Sequence, residues 1–185
     1  MGGGGFGAER RVSLPLTDDI SDLLRDIQKT CGLMTHAEVF DTAIIKLHDV
    51  VKIRRAGCVL VGVDEFGRVR HKMKDMNPDL RASSLMKRVT MFSLSRNADE
   101  KMAELKTRYG TQSDEPVLKL ALENMGEMME MRRAQLTIEG RLRDAKGATL
   151  FKINNAILNR AEESGRPLRN ILSAFRLGGD AEPMV

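Results

Sequence analysis

The sequence has few aromatic residues, and this bears on the type of fold. Tryptophan is absent, tyrosine occurs once, and aromatic residues make up only 4% of the 185 residues. A broad β-sandwich draws on bulky aromatic and β-branched side chains for its core. Methionine, which occurs 12 times, instead fills irregular gaps between packed elements. We therefore expect small helical units rather than a broad β-sandwich.

Cysteines and long apolar runs are also scarce. The two cysteines, Cys31 and Cys58, lack the close spacing of metal ligands, so we expect both to be reduced, as in the cytosol. No apolar run approaches the roughly 20 residues that span a bilayer. The first ten residues, MGGGGFGAER, lack the apolar segment of a signal peptide. We therefore expect a cytoplasmic protein with no membrane partner.

The charge is positive overall but unevenly distributed. The net charge is +4 and the pI is about 9.2. Residues 52–88 contain ten Lys and Arg against four acids, whereas residues 99–130 contain eight acids against four bases. A basic surface attracts a polyanion such as nucleic acid. We therefore expect the first half of the chain to supply most of any such affinity.

One sequence pattern occurs twice. The stretch GLMTHAEVFDTAIIKLHDVV begins at Gly32, and GTQSDEPVLKLALENMGEMM begins 78 positions later at Gly110. Each has a glycine, then a hydroxyl side chain (Thr35 or Ser113), then apolar residues at helical spacing. Few residues are identical. The shared pattern predicts one structural unit used twice.

The first unit is predicted to contain a strand and two helices. RRVSLPLT alternates between polar and apolar residues, which is typical of a half-buried strand. Thr17 then caps a helix that ends at Gly32. Thr35 and Glu38 form a capping box for a second helix, which we expect to reach about Arg55. The predicted order is strand, helix, helix.

The second unit repeats this order, with two alternatives for its strand. KRVTMFSLS is the strand, Ser95 caps the next helix and Ser113 caps the last one. Counting back from the helix places Thr90 on the buried face, whereas the alternation of Val89 and Met91 predicts the opposite phase. We favour an outward Thr90, because only that phase gives a polar outer face.

The remaining segments are predicted from their turn residues and their patterns of polar and apolar residues. Residues 57–85 form a basic connector whose apolar run 58–63 and alternating arm 68–72 predict a β-hairpin. Residues 148–177 predict a helical hairpin that turns at a Gly-Arg-Pro segment. The full division is a flexible N-terminus 1–8, unit one 9–56, connector 57–85, unit two 86–135, helical hairpin 148–177 and flexible tail 178–185.

Signatures of catalysis and metal binding are not found. The three histidines, His36, His48 and His71, are scattered, and we see no carboxylate pair or nucleophile–base set. The glycines at the N-terminus precede any strand and do not match a phosphate-binding loop. We therefore predict no enzyme activity, no metal site and no cofactor.

The two units resemble the ribbon-helix-helix (Arc/MetJ-type) family of DNA-binding proteins. The segments that carry the resemblance are VSLPL with TCGLMTHAEVFDTAI and, more loosely, VTMFSLS with RYGTQSDEPVLKLAL, within residues 9–55 and 86–132. Two units in one chain resemble the TraY-like relaxosome accessory proteins. The resemblance implies a mainly α fold: two ribbon-helix-helix units form an intramolecular pseudo-dimer with a two-stranded antiparallel ribbon, plus the connector β-hairpin and the C-terminal helical hairpin.

The resemblance also implies a DNA-binding site. In that family the ribbon lies in the major groove and its outward side chains contact bases. The implied base-reading residues are Arg11, Ser13, Pro15, Arg88 and Thr90. Helix N-termini and nearby cations would contact phosphates. The implied phosphate-binding residues are Arg10, Thr35, His36, Lys87 and Ser113. The connector arm, with Arg68, Arg70 and Lys72, either touches DNA or is merely solvated.

The expected function is sequence-specific binding of double-stranded DNA, in a bacterial, phage or plasmid-encoded protein. The resemblance implies a relaxosome accessory factor in conjugative DNA processing or a transcriptional repressor. A second copy of the chain or a DNA-processing protein would bind the C-terminal helices. The alternative is a protein–protein adaptor, similar to an antitoxin or a secretion-complex subunit, that works through those helices.

Overall fold

The computed structural model describes residues 10–80, 88–142 and 149–153. Within these ranges the chain forms four helices and six strands. In chain order they are β1 (Arg10–Leu16), α1 (Asp18–Cys31), α2 (His36–Arg55), β2 (Cys58–Val63), β3 (Val69–Lys72), β4 (Arg88–Leu94), α3 (Arg96–Tyr109), α4 (Glu115–Arg133), β5 (Thr137–Leu142) and β6 (Thr149–Ile153). The predicted flexible ends 1–8 and 178–185 lie outside the described residues.

The order strand, helix, helix occurs twice, and the strand and first helix of the two repeats share one spacing. β4 begins 78 residues after β1, and α3 begins 78 residues after α1. The Thr17 and Ser95 hydroxyls cap α1 and α3 by accepting from Ile20 N and Ala98 N. Gly32 and Gly110 end these helices at φ 64° and 65°, a left-handed conformation that favours glycine. The same local signals therefore begin and end the first helix of each repeat.

The second helices of the two repeats begin differently. Thr35 and Glu38 form the predicted capping box at the start of α2. The prediction that Ser113 caps α4 is wrong, because α4 begins at Glu115 and Asp114 occupies the N-cap position. The Ser113 amide donates to Thr111 Oγ1 in the preceding turn. α4 therefore begins with acidic residues where α2 begins with Thr35 and His36.

β1 and β4 form a two-stranded antiparallel ribbon that covers the helices. Ser13 lies opposite Met91 at the centre of the register. Alternate side chains on the inner side of the ribbon are buried, and the Phe92 ring stacks on Phe40 of α2 with centroids 4.1 Å apart. The buried residues of the ribbon are Val12, Leu14, Leu16, Phe92 and Leu94. Hydrophobic burial thus holds one face of the ribbon against the helices.

The core lies between the helices of the two repeats. α2 packs mainly on α4, and its residues Phe40, Ile44 and Leu47 are fully buried. α1 approaches α4 closely at Gly126, where an added Cβ would lie 3.0 Å from Leu23 Cδ1. The helices of the two repeats therefore share a single core.

A second, four-stranded antiparallel sheet overturns the predicted fold class. Its strand order is β3-β2-β5-β6. β2 and β3 form the connector hairpin, but β2 also pairs along its whole length with β5. The molecule is therefore a mixed structure of helices and two antiparallel sheets. The prediction of a mainly α fold, with a lone connector hairpin and a C-terminal helical hairpin, is wrong.

The predicted C-terminal helical hairpin is wrong where it is described. Residues Thr149–Ile153, expected to begin a helix, form β6 and pair with β5. The sequence TLFKI is rich in residues that favour strands, and β5 offers an unpaired edge on the side away from β2. Strand pairing therefore replaces the expected helix here, and residues 154–177 lie outside the described residues.

Candidate nucleic-acid interface

The outward side of the β1–β4 ribbon is the candidate interface. Its side chains come from alternate positions of both strands and form what we call the outer ribbon face. Its members are Arg11, Ser13, Pro15, Val89, Met91 and Ser93. Arg11 and Ser13 are exposed, and the large apolar residues Val89 and Met91 are 57% and 69% exposed. Each β1 member lies opposite a β4 member, so the face consists of three cross-strand pairs.

The favoured phase of the second strand is wrong. Thr90 shares the inner phase with Phe92 and Leu94, and its Oγ1 lies 2.9 Å from His36 Nδ1. Arg88 has the same phase as Thr90 but is exposed, because it is the first residue of the strand. Of the five expected base-reading residues, Arg11, Ser13 and Pro15 lie on the outer face, and Arg88 and Thr90 do not.

The 78-residue repeat contained the information that the sequence analysis missed. Adding 78 to residues 11, 13 and 15 gives residues 89, 91 and 93, which are the three outward positions of β4. Polarity was the misleading criterion, since β4 presents apolar residues outward and a threonine inward. The inner threonine is accommodated because it bonds to His36.

The first turn of α2 lies beside the ribbon. The His36–Thr90 contact joins this turn to β4. The Thr35 hydroxyl accepts from Glu38 N, and the Glu38 carboxylate accepts from the amides of Met34 and Thr35. The amides of His36 and Ala37 precede the first intrahelical hydrogen bond, from Val39 N to Thr35 O. A helix start of this kind favours an anion.

Arg10 is held within the protein rather than presented to a phosphate. Its guanidinium donates to Asp99 at 2.7 Å and also pairs with Asp114. The hydrogen bond to Asp99, aided by Asp114, raises the pKa of Arg10. Arg10 therefore joins β1 to α3 and to the start of α4, which corrects its expected role in direct phosphate binding.

The acidic start of α4 is largely neutralised. Besides Arg10, Lys106 pairs with Asp114 at 3.0 Å, and Lys119 pairs with Glu115 at 2.5 Å. These cations balance the negative charge of Asp114 and Glu115 at this helix end. Ser113, the expected phosphate contact, is exposed in the turn before it. The start of α4 thus differs from that of α2, where no such acidic pair stands.

Two cations of the connector arm, Arg68 and Arg70, bind the same carboxylate in the hairpin turn. Arg68 and Arg70 each donate to Asp64 at 2.9 Å. Desolvation favours a higher pKa for Asp64, but hydrogen bonds from the Arg68 amide and both arginine side chains outweigh it and lower the pKa to about 2. Lys72 is exposed on β3. The arginines therefore stabilise the turn of the second sheet. Lys87, an expected phosphate-binding residue, lies outside the described residues.

Two of the three histidines, His48 and His71, each pair with a single carboxylate. His48 lies 2.9 Å from Glu104, and His71 lies 2.7 Å from Glu127. Across residues 10–80 and 88–142, no three His, Cys, Asp or Glu residues come together in a way that could hold a metal ion. The described helices also include none with the length and apolarity needed to cross a membrane.

No protein-family profile, no curated protein and no solved structure matches this chain.

Proposed function

We propose that this protein binds double-stranded DNA by inserting the outer ribbon face into the major groove. The observation that carries the proposal is the ribbon itself: one face is buried on the helices and the opposite face, with Arg11 and Ser13, is exposed. The major groove is about 12 Å wide and admits a two-stranded β-ribbon. Strands in a sheet lie about 4.8 Å apart, so the pair fits with its side chains facing the bases.

Arg11 is the principal candidate for base recognition. An arginine in the major groove can donate two hydrogen bonds to guanine O6 and N7, which is a common specific contact. Ser13, two residues along the same face, can donate to or accept from several bases. Both side chains are exposed and belong to the same strand. Recognition would therefore depend mainly on β1.

Phosphate contacts would come from the start of α2 and from Arg88. The His36 and Ala37 amides at the positive end of a 20-residue helix suit a phosphate oxygen. Arg88 is exposed as the first residue of β4 and carries a full charge. The balanced charges at the start of α4 add little attraction. The proposed footprint is thus asymmetric, with the first repeat contributing more.

The resemblance to the ribbon-helix-helix family supports the same proposal and indicates a biological role for the DNA binding. We propose a role as a relaxosome accessory factor in conjugative DNA processing or as a transcriptional repressor. Such a protein would work in the bacterial cytoplasm, where the buried thiols of Cys31 and Cys58 stay reduced. Its DNA would be the partner, and another copy of the chain or a DNA-processing protein could join it there.

Selection from a random duplex pool, followed by affinity measurement at several salt concentrations, tests the proposal. We expect a selected motif and binding that weakens steeply as salt rises, because phosphate contacts release counterions. Arg11→Ala should relax the motif at one position and lower affinity about 5- to 150-fold, the equivalent of about 1–3 kcal/mol. Arg88→Ala should instead weaken all duplexes and reduce the salt slope by about 1.

The matched control is Arg96→Ala. Arg96 is 93% exposed, pairs with Glu100 within α3 and is not a member of the outer ribbon face. It carries the same charge as Arg11, so its removal reports the effect of net charge alone. If no duplex is retained at low salt, the proposal is wrong and the adaptor alternative gains support. Equal losses for Arg11→Ala and Arg96→Ala would also contradict it.

A further inference from the structure

The outer ribbon face has a polar end and an apolar end. The cross-strand pair at one end is Arg11 with Ser93, and the pair at the other end is Pro15 with Val89. Between them Ser13 lies opposite Met91. The polarity of the face therefore changes along the ribbon, although the backbone register is regular throughout.

The internal repeat shows that the change in polarity comes from different side chains at equivalent backbone positions of the two strands. Val89 occupies the position equivalent to Arg11, and Met91 occupies the position equivalent to Ser13, each 78 residues later. The second strand thus places large apolar groups where the first places polar ones. Their exposure, 57% for Val89 and 69% for Met91, leaves apolar surface in water, which is unfavourable unless a partner covers it.

We infer that Val89 and Met91 recognise the C5-methyl groups of thymine, while Arg11 contacts guanine. The inference rests on the proposed function, since it concerns the same ribbon in the same groove. Thymine methyl groups are the apolar feature on the major-groove edges of the four bases. Apolar side chains beside an arginine on one ribbon match a groove that offers methyl groups next to guanine acceptors and a negatively charged backbone.

Strand geometry sets the spacing of the two kinds of contact. Successive outward residues of a strand are about 6.6 Å apart, so Arg11 and Pro15 are separated by about 13 Å. Base pairs stack about 3.4 Å apart, so this length corresponds to about four base steps. The bound site should therefore be non-palindromic, with a G·C pair near one end and thymines within about four base pairs of it.

The experiment uses the full chain and the motif selected from the random pool. Each thymine in the motif is replaced, one at a time, by deoxyuridine, which lacks only the methyl group. We expect about a fourfold loss of affinity at the recognised thymines, which corresponds to about 0.8 kcal/mol for one buried methyl or methylene group. Val89→Ala and Met91→Ala should bind more weakly and lose the preference for thymine over uracil.

Phe66→Ala is the control variant. Phe66 is 71% exposed but stands in the turn of the second sheet, so its truncation should leave the preference unchanged. Circular dichroism and thermal unfolding of each variant would show that the fold is retained. The salt slope should be the same for Met91→Ala and the unmodified protein, because a methyl contact releases no counterion.

The outcomes separate the inference from the proposed function. A protein that binds its selected motif equally well with thymine or uracil at every position retains the proposed function and overturns the inference. Discrimination that persists in both Val89→Ala and Met91→Ala also overturns it. Absence of any duplex binding overturns both. If the variants change the oligomeric state without DNA, the apolar end is a contact between copies and the inference is wrong.

Discussion

His36 Nδ1 of α2 lies 2.9 Å from Thr90 Oγ1 of β4, so a hydrogen bond connects the start of a helix in one repeat to the strand of the other. Both side chains are half-buried. The contact holds the positive end of α2 next to the ribbon whose outer face is the candidate interface. The distance between base contacts made by the ribbon and phosphate contacts made by the start of α2 would therefore be fixed.

Thr90→Val tests this connection. The substitution keeps the side-chain shape but removes the hydroxyl, so we expect the free energy of unfolding to fall by about 1 kcal/mol. Urea unfolding provides the measurement. Ser93→Ala, which removes a hydroxyl from the opposite face of the same strand, should change stability by only a few tenths of a kcal/mol. Equal effects of the two variants would contradict a specific role for the His36 contact.

Arg10→Ala should weaken DNA binding indirectly. Without Arg10, the carboxylates of Asp99 and Asp114 are less well compensated, and negative charge returns to the start of α4. We expect a loss of about 1 kcal/mol in stability, since the groups are only partly buried. Duplex affinity should also fall, and the second change Asp114→Asn should restore part of it.

The rescue by Asp114→Asn distinguishes this role from direct phosphate contact. If Arg10 itself binds phosphate, neutralising Asp114 does not replace the missing contact and affinity stays low. Arg25→Ala is a suitable control, because Arg25 is 74% exposed and pairs only locally with Asp22 among the contacts described for α1. Its removal should leave stability almost unchanged.

Glu123 makes stability depend on pH. Burial raises its pKa from 4.5 to about 7, with Lys119 opposing the rise and Asp79 adding to it. Between pH 4.5 and about pH 7, the Glu123 carboxyl group is protonated in the folded protein and ionised in the unfolded chain. Stability is therefore fully present below about pH 4.5 and is lost as pH rises through 7, by about 3 kcal/mol in total from this group.

Glu123→Gln should remove this dependence, because glutamine does not titrate. We expect the variant to be more stable than the unmodified protein at pH 8 and similar to it near pH 4.5. Urea unfolding at several pH values measures the difference. Glu65→Gln, in the exposed turn of the connector hairpin, provides the control. Parallel pH profiles for the Glu123 variant and the unmodified protein would show that the raised pKa is not present.

Asn124 is a fully buried amide in α4. Among the residues that the structure describes, neither its Nδ2 nor its Oδ1 has a hydrogen-bond partner. An unsatisfied buried polar group costs about 1–3 kcal/mol. Asn124→Leu, which keeps the branching of the side chain and removes its polar atoms, should therefore raise the free energy of unfolding by about 1 kcal/mol. A destabilised variant would show that the amide makes a hydrogen bond, for example to a bound water.

Local signals in the sequence were sufficient for several elements. The sequence predicts the hydroxyl caps at Thr17, Thr35 and Ser95 and the helix-ending glycines at 32 and 110, and the structure confirms each of them. Their interactions involve residues within one helical turn, so neighbouring sequence contains all the partners. The connector hairpin was predicted for the same reason, since its two strands are joined by a short turn.

Contacts between distant segments were predicted less well. Thr90 was expected outward because it is polar, and its partner His36, 54 residues earlier, cannot be inferred from the strand. Arg10 was expected at a phosphate, but its partners Asp99 and Asp114 come from the other repeat. β5 was not predicted, because the segment TIEGRL becomes a strand by pairing with β2, which lies far earlier in the chain.

The sequence by itself determined the repeat, its spacing of 78 residues and the ends of most helices, because these depend on backbone groups and caps close together in the chain. Tertiary structure alone decided that Thr90 pairs with His36, which acids hold Arg10 and that a second sheet forms. Those choices depend on burial and on partners tens of residues away. Whether a polar side chain is free to recognise DNA is settled by such partners and not by the side chain alone.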